Sequence, residues 1–329
     1  MGIIVGIDTS CYTTSIAIMN QELKLIKEHR LVLKVPQGKR GLQQSQAVFQ
    51  HVQNMKTIFQ GIKEAIKSEN ILAIAASTRP RPMKDSYMPV FTVGESQGRV
   101  LAEFFGVPFW ATSHQEGHLL AGLWSSELDW DADFLAVHLS GGTSELLRVS
   151  GAKGEEIFKI DYLGGTLDLH AGQFVDRIGV AMGLPFPAGV HLEKLATASK
   201  SQDTYIPSYV SGYNFSFSGG ETHALKLIEE GHPFETVARA IENCITKTIE
   251  KVALEGIKNT GLNKILLVGG VAANRHLRKK LSLRLEHAAV GGELFFADPY
   301  YSTDNAVGTA LSGLIARQRG ILKRAFTNF

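Results

Sequence analysis

The 329-residue chain has only two cysteines, Cys11 and Cys244, which cannot make a disulfide framework, and a protein of this length needs none. No apolar run approaches the length of a membrane span, so no membrane partner is expected. The opening residues, MGIIVGIDTS, are apolar for a few positions only and lack the charged region and cleavage pattern of a signal peptide. No low-complexity tether separates the two halves. Charge of one sign is also missing. Lys+Arg number 34 against 32 Asp+Glu, a net charge of +2, which argues against a surface coated with cations for non-specific nucleic-acid binding. A local basic stretch remains, Arg275, His276, Arg278, Lys279, Lys280 and Arg284, on one expected helix; it reads either as a patch or as a solvated face. With 44% hydrophobic residues the chain can bury sizeable cores, and its length fits two domains. A soluble cytoplasmic protein is expected.

What is present centres on SHQEGHLLAGLW, where His114 and His118 stand four residues apart. On a helix, positions i and i+4 share one face, close enough to share one metal ion. Imidazole is the commonest protein ligand for such ions. The spacing is that of the HExxH zinc proteases, in which the glutamate beside the first histidine is the general base. Here the glutamate is Glu116, two positions on and about 200° round the helix, so it points away and the protease reading fails on geometry. A third ligand must come from elsewhere. Asp304, in STDNA at the expected start of the closing helix, is the candidate, with helix capping as its alternative role. Two histidines and one carboxylate suit iron or zinc and leave positions open for substrate.

The rest of the chain reads as a repeated α/β pattern. Residues 3–19 and 134–150 each read as an apolar strand, a small polar turn and a second apolar strand. Helical spacing over 42–67, a buried strand at 71–77, a helix over 86–106 and a strand leading to His114 follow the first hairpin. Helices over 168–184, about 219–230 and 234–259, a strand with a Gly-Gly turn, and a last strand at ELFFADP follow the second. The domains expected are 1–112 plus 303–329, and 113–302 carrying the two histidines. Three turns, Asp8-Thr9-Ser10, Ser140-Gly141-Gly142 and Gly269-Gly270, follow apolar strands and would offer backbone N–H groups to phosphate oxygens. Two such hairpins and a strand-GG-helix form the layout of the duplicated actin, sugar kinase and Hsp70 ATPase architecture, an α/β fold with a nucleotide in the interdomain cleft. Asp176 reads as a ribose ligand or as the partner of a nearby Arg or Lys. Gly189 reads as a turn glycine open to a base or sugar. Asn274 reads as a helix N-cap or a nucleoside contact.

Together, SHQEGHLLA, LSGG, the helix ending VDR before GLPFPAG, NFSFSG, VGGVAANRHLRKKL and STDNA resemble, in order and spacing, the TsaD family, once named O-sialoglycoprotein endopeptidase or glycoprotease. The resemblance spans nearly the whole chain. It implies an actin-like ATPase fold and transfer of a threonylcarbamoyl group from threonylcarbamoyl-adenylate to N6 of an adenosine in tRNA. It implies one divalent metal held by His114, His118 and Asp304, and adenine-nucleotide contacts at His138, Leu139, Ser140, Gly141, Gly142, Asp176, Gly189 and Asn274. It implies tRNA and partner proteins of the threonylcarbamoyladenosine pathway, with a homo- or heterodimer as assembly. The chain departs from the pattern in the surround. The family turn E-T-S-C-D-E-T is here Asp8-Thr9-Ser10-Cys11-Tyr12-Thr13-Thr14, which leaves Asp8 and Ser10 as the candidate catalytic residues. S-G-G-H-T becomes Ser140-Gly141-Gly142-Thr143-Ser144, G-P-G becomes Arg79-Pro80-Arg81-Pro82, and Glu221 stands where a lysine is usual. Such a pattern fits an active transferase, or a diverged paralogue that binds metal and nucleotide but has another acceptor or a regulatory role.

Overall fold

The computed structural model describes residues 2–10, 12–67, 69–83, 85–151, 156–200, 204–287 and 289–322; Cys11, and the end of the chain after 322, lie outside them. The first hairpin is β1 (Gly2–Asp8) and β2 (Thr13–Asn20), antiparallel from Ile3 opposite Asn20 to Asp8 opposite Ser15. It is followed by β3 (Leu25–Val32), α1 (Gln44–Lys67), β4 (Asn70–Arg79), α2 (Phe91–Phe105) and β5 (Phe109–Ser113). The sheet order is β3-β2-β1-β4-β5, with β4 and β5 joining in parallel.

After α3 (His114–Ser125) the plan repeats. The second sheet takes β6 (Phe134–Leu139), β7 (Ser144–Gly151) and β8 (Phe158–Gly165). The chain then runs through α4 (Ala171–Ala181), α5 (Gly189–Thr197), a short ladder of β9 (Tyr209–Ser211) and β10 (Asn214–Ser216), α6 (Ser218–Glu229) and α7 (Phe234–Thr260). It closes with β11 (Lys264–Val268), α8 (Arg275–Leu285), β12 (Glu293–Phe296), α9 (Pro299–Ser302) and α10 (Val307–Gln318). The second sheet has the order β8-β7-β6-β11-β12, with the same three antiparallel and two added parallel strands as the first.

Strand alternation assigns each face. Ile3, Val5 and Ile7 of β1 pack under α1 with Met55, Ile58 and Ile62, while Ile4 packs against Leu314 of α10. Leu135, Val137 and Leu139 of β6 join the second core with Phe174 of α4 and Ile245 of α7. Phe134 and Ala136 face the opposite way, into a shared core with Leu119, Leu120 and Leu123 of α3 and Ala310 and Leu311 of α10. Two helices therefore lie between the two sheets. The contact is close: a Cβ on Gly6 of β1 would sit 2.5 Å from the Ala310 nitrogen and 2.7 Å from the Ala306 oxygen, so only glycine lets the strand and α10 meet there.

Several expected bounds move for local reasons. The helix expected over 86–106 starts at Phe91, because Pro89 disfavours helical geometry in Met88 before it. The helix expected from 168 starts at Ala171, because the Asp168 carboxylate is used elsewhere, accepting from Ser216 Oγ at 2.5 Å and Phe217 N at 3.1 Å. The closing helix starts at Val307, not at 303 or 304, and Asn305 Oδ1 accepts from Val307 N at 2.9 Å. Asp304 is thus no cap. Strand β3, with Lys27, Glu28 and Arg30, shows no apolar alternation, as an edge strand allows. Helix α5, in what reads as a loop, buries only Leu192 and Ala196.

Candidate metal centre

Ser113 ends β5 and caps α3. Its Oγ accepts from Glu116 N at 3.2 Å, and Glu116 Oε2 accepts from Ser113 N at 2.8 Å, a capping box that folds the glutamate back onto the helix start. His114 and His118 occupy the first turns, with Nε2 atoms 3.1 Å apart. Asp304 Oδ1 lies 3.5 Å from His114 Nε2 and 3.4 Å from His118 Nε2. One donor atom from each residue falls within 4.8 Å of the others. The loop that delivers Asp304 is tied down by Arg30 of β3, whose Nη1 donates to Tyr300 O at 2.8 Å and whose guanidinium stacks 4.2 Å over the Tyr300 ring.

Asp8, fully buried at the end of β1, accepts from His114 Nδ1 at 3.0 Å and from Ser77 Oγ at 2.7 Å. Ser10 donates to its other oxygen from both backbone N, at 2.8 Å, and Oγ. The Asp8 carboxylate fixes His114 Nδ1–H, the carboxylate–histidine arrangement that orients metal ligands, and a metal ion would displace the proton that Nε2 otherwise directs at Asp304. Burial disfavours charge on His114, yet Asp8 and Asp304 outweigh it and raise its pKa to about 10. Burial also opposes charge on Asp304, but hydrogen bonds from both histidines hold it well below the carboxylate range. Burial, then the neighbouring His114, lowers the pKa of His118. The two carboxylates thus place negative potential where a cation fits, and His118 Nδ1 is buried with no hydrogen-bond partner among the described residues. The donor set fits a divalent ion of the iron or zinc type.

His138 follows the alternation of Phe134 and Ala136 and so faces α3, its ring centroid 4.7 Å from that of His118. It is buried, and neither ring nitrogen has a hydrogen-bond partner among the described residues. Opposite it on β7 is buried Glu145, paired with Arg81 and accepting from Gln115 Nε2 at 2.8 Å. The sequence flagged Arg81 only as part of an altered loop. Its pairing with Glu145, the position of Arg30 and the Asp8–His114 bond carry no sequence signal, because each joins residues far apart in the chain.

The turn Ser140-Gly141-Gly142 connects β6 and β7, with Ser140 N donating to Thr143 O at 2.7 Å. The start of α4 lies against it: a Cβ on Gly172 would be 2.7 Å from Ser140 O. Leu139 is in the second core. Beside the turn is a cleft of about 620 Å³ walled by Tyr12, Arg40, Gly141, Gln173, Asp176, Arg177 and Phe186. Asp176 accepts from Ala188 N at 2.7 Å, and burial raises its pKa to about 6. Arg177 pairs not with it but with Glu221, at 3.1 Å. Tyr12 sets its ring edge-on to Phe186, centroids 5.1 Å apart, closing one end. Gly189 opens α5, and a Cβ there would meet nothing within 4 Å, so packing does not require glycine. Asn274 caps α8 through Leu277 N at 2.9 Å and donates to Glu242 at 2.6 Å. The structure therefore gathers Asp8, Ser10, His114, His118, His138 and Asp304 in one cluster, and Gly141 and Asp176 in the adjacent cleft. Gly189 and Asn274 are not among that cleft's walls.

Residues 26–311 match the TsaD family, described as tRNA N6-adenosine threonylcarbamoyltransferase. Solved structures are similar at low identity. An activator of 2-hydroxyisocaproyl-CoA dehydratase from Clostridium difficile, with bound ADPNP, aligns with a TM-score of 0.55 and 12% identity over 97% of this chain and 96% of that one. A ROK family glucokinase from Streptomyces griseus, in complex with glucose and AMPPNP, gives 0.53 and 12% over 96% and 100%. HypF from T. kodakarensis gives 0.61 and 14% over 98% of this chain but 48% of its own, so this chain spans about half of that protein. These likenesses show an actin-like ATPase fold.

Proposed function

We propose a function from one premise: the chain belongs to the TsaD family. It is a threonylcarbamoyltransferase-like protein, and the reading we favour is metal-dependent transfer of threonylcarbamoyl from its adenylate to N6 of a tRNA adenosine. The observation that carries it is the convergence of His114, His118 and Asp304 within 4.8 Å. A divalent cation there, iron or zinc, would polarise the carbamate carbonyl and balance charge on the departing phosphate. Asp8 holds the His114 tautomer, and Ser10 holds Asp8, so both act as positioning groups. The backbone of Ser140 to Gly142, beside His138 and Leu139, would take the phosphate at the start of α4. Asp176, with Gly189 and Asn274, would take the adenosine. We place the two lobes at 1–112 with 303–329 and at 113–302, supported by the separate strand sets of the two sheets. The same reading has the protein work on tRNA in the cytoplasm beside pathway partners, as a homo- or heterodimer; no described helix is long and apolar enough to cross a membrane.

A second reading, a paralogue with another acceptor, is favoured by Tyr12, which packs edge-on against Phe186 in the cleft wall, and by the Arg81–Glu145 pair. Complementation separates the two. Cells depleted of their standard enzyme should recover threonylcarbamoyladenosine in tRNA when this chain is expressed; failure with intact metal and ATP binding selects the second reading.

Asp176 gives a pH-dependent test. A carboxylate accepts from two ribose hydroxyls only when ionised. With its pKa raised to about 6, Asp176 is ionised above that pH and protonated below it. ATP affinity measured by calorimetry should fall from pH 7.5 to pH 5, by up to about ten-fold per unit below the pKa, and Asp176→Asn should flatten the profile. An unchanged profile in the variant would remove Asp176 from the site.

A further inference from the structure

A second cavity, about 770 Å³, opens between α7 and α8, away from every residue assigned above to the metal. Its walls include Lys200, Arg239, Asn243, His276, Lys279 and Lys280. Lys200, Lys279 and Lys280 form no ion pair with any described residue, whereas Arg284, farther along α8, is paired with Glu250. Arg239 is held in place by Glu242 at 2.5 Å and by Ala196 O at 3.0 Å. That Glu242 is buried, so its charge does not face the cavity. His276 Nε2 lies 2.8 Å from Asn243 Oδ1; burial first, then the nearby Arg239, Lys280 and Lys279, lowers its pKa to about 4, so it is neutral and the cations of the pocket are the lysines and Arg239. The basic residues of the sequence are therefore not one solvated face: His276, Lys279 and Lys280 converge with α7 on a concave, cationic pocket.

We propose that this pocket docks the sugar-phosphate backbone of RNA, which deepens the functional reading above and rests on it for the identity of the polyanion. The cations come from three separate segments, Lys200 after α5, Arg239 on α7, and Lys279 and Lys280 on α8. Cations spread over several elements suit successive phosphates of one strand, each with its own partner. Glu242 links Arg239 of this pocket to Asn274, the residue proposed above for the adenosine.

The test is anisotropy of a fluorescent tRNA transcript titrated with the full chain across a salt series. Lys279→Gln with Lys280→Gln should weaken binding about ten-fold or more near 0.1 M salt and lower the slope of log K against log salt by about two. Inorganic phosphate, at the phosphate concentration of the RNA and constant ionic strength, should not displace the transcript. Unchanged affinity and slope in the double variant would overturn the proposal, and so would displacement by inorganic phosphate, which would mark a small-anion pocket. Thermal melting should match wild type, and Lys279→Arg with Lys280→Arg should restore binding; no rescue in folded protein also counts against it. Metal content and ATP binding are read in the same preparations. Normal RNA docking with failed complementation sinks the functional reading alone, and unaltered docking in the lysine variant sinks this one alone.

Discussion

Protein carrying His118→Ala is expected to keep its fold and lose its metal. Chain purified without chelator should hold about one iron or zinc, since three protein ligands make a catalytic-type site, and the variant should hold almost none. The expectation rests on the donor geometry: His118 Nε2 is 3.1 Å from His114 Nε2 and 3.4 Å from Asp304 Oδ1, and the side chain is 2% exposed, so no solvent group replaces it. Asp8→Asn offers a graded companion. It removes the carboxylate that fixes His114 Nδ1–H but touches no ligand atom facing the ion, and such changes cost about 10–100-fold in metal affinity. Loss at His118 should exceed that. Elemental analysis after dialysis, with competition against a metallochromic dye, reads both. Full metal content in His118→Ala would refute the site whatever the activity.

The parts of this molecule visible in the sequence were those with local periodicity. The hairpin at 3–19 has every residue of β1 and β2 buried, and a run of that kind has few alternative structures. The HxxxH spacing needed only a helix to bring His114 and His118 together. Asp304 was legible as a candidate third ligand but for an incomplete reason: its segment reads as a helix start, and in the structure Asn305 Oδ1 accepts from Val307 N while Asp304 lies beside His114 and His118. Segments whose structure is set by distant partners stayed hidden. Strand β3 has a charged sequence and exists because β2 pairs with it. The Arg81–Glu145 pair joins the loop after β4 to β7 in the other sheet, and no spacing rule connects residues 64 positions apart. For His138 the resemblance implies an adenine-nucleotide contact; the alternation of β6 places its side chain with Phe134 and Ala136 on the side facing His118.

Gly308→Ala is expected to be the most damaging single methyl in the protein, while Gly117→Ala, across the same contact, is expected to be nearly silent. Helices α3 and α10 carry or adjoin all three proposed ligands and lie against each other between the sheets. A Cβ on Gly308 would run into the Gly117 carbonyl oxygen, carbon and Cα, which are backbone atoms fixed within α3 and have no rotamer to relieve them. A Cβ on Gly117 would meet only Thr309 Oγ1 at 3.5 Å and Thr309 N at 3.8 Å, an ordinary contact. The first substitution must push the helices apart; the second fills adequate space and gains helix propensity. Overpacking of this kind costs about 1–3 kcal/mol, with the upper end fitting a backbone clash, and a melting temperature lower by roughly 2–4 °C follows for a chain of this size. Separation of α10 from α3 also carries Asp304 from His118, so metal affinity should fall together with stability in Gly308→Ala and stay near wild type in Gly117→Ala. Calorimetric melting with and without added metal distinguishes the two effects. If both variants melt and bind alike, the close approach of the two helices does not set the ligand geometry.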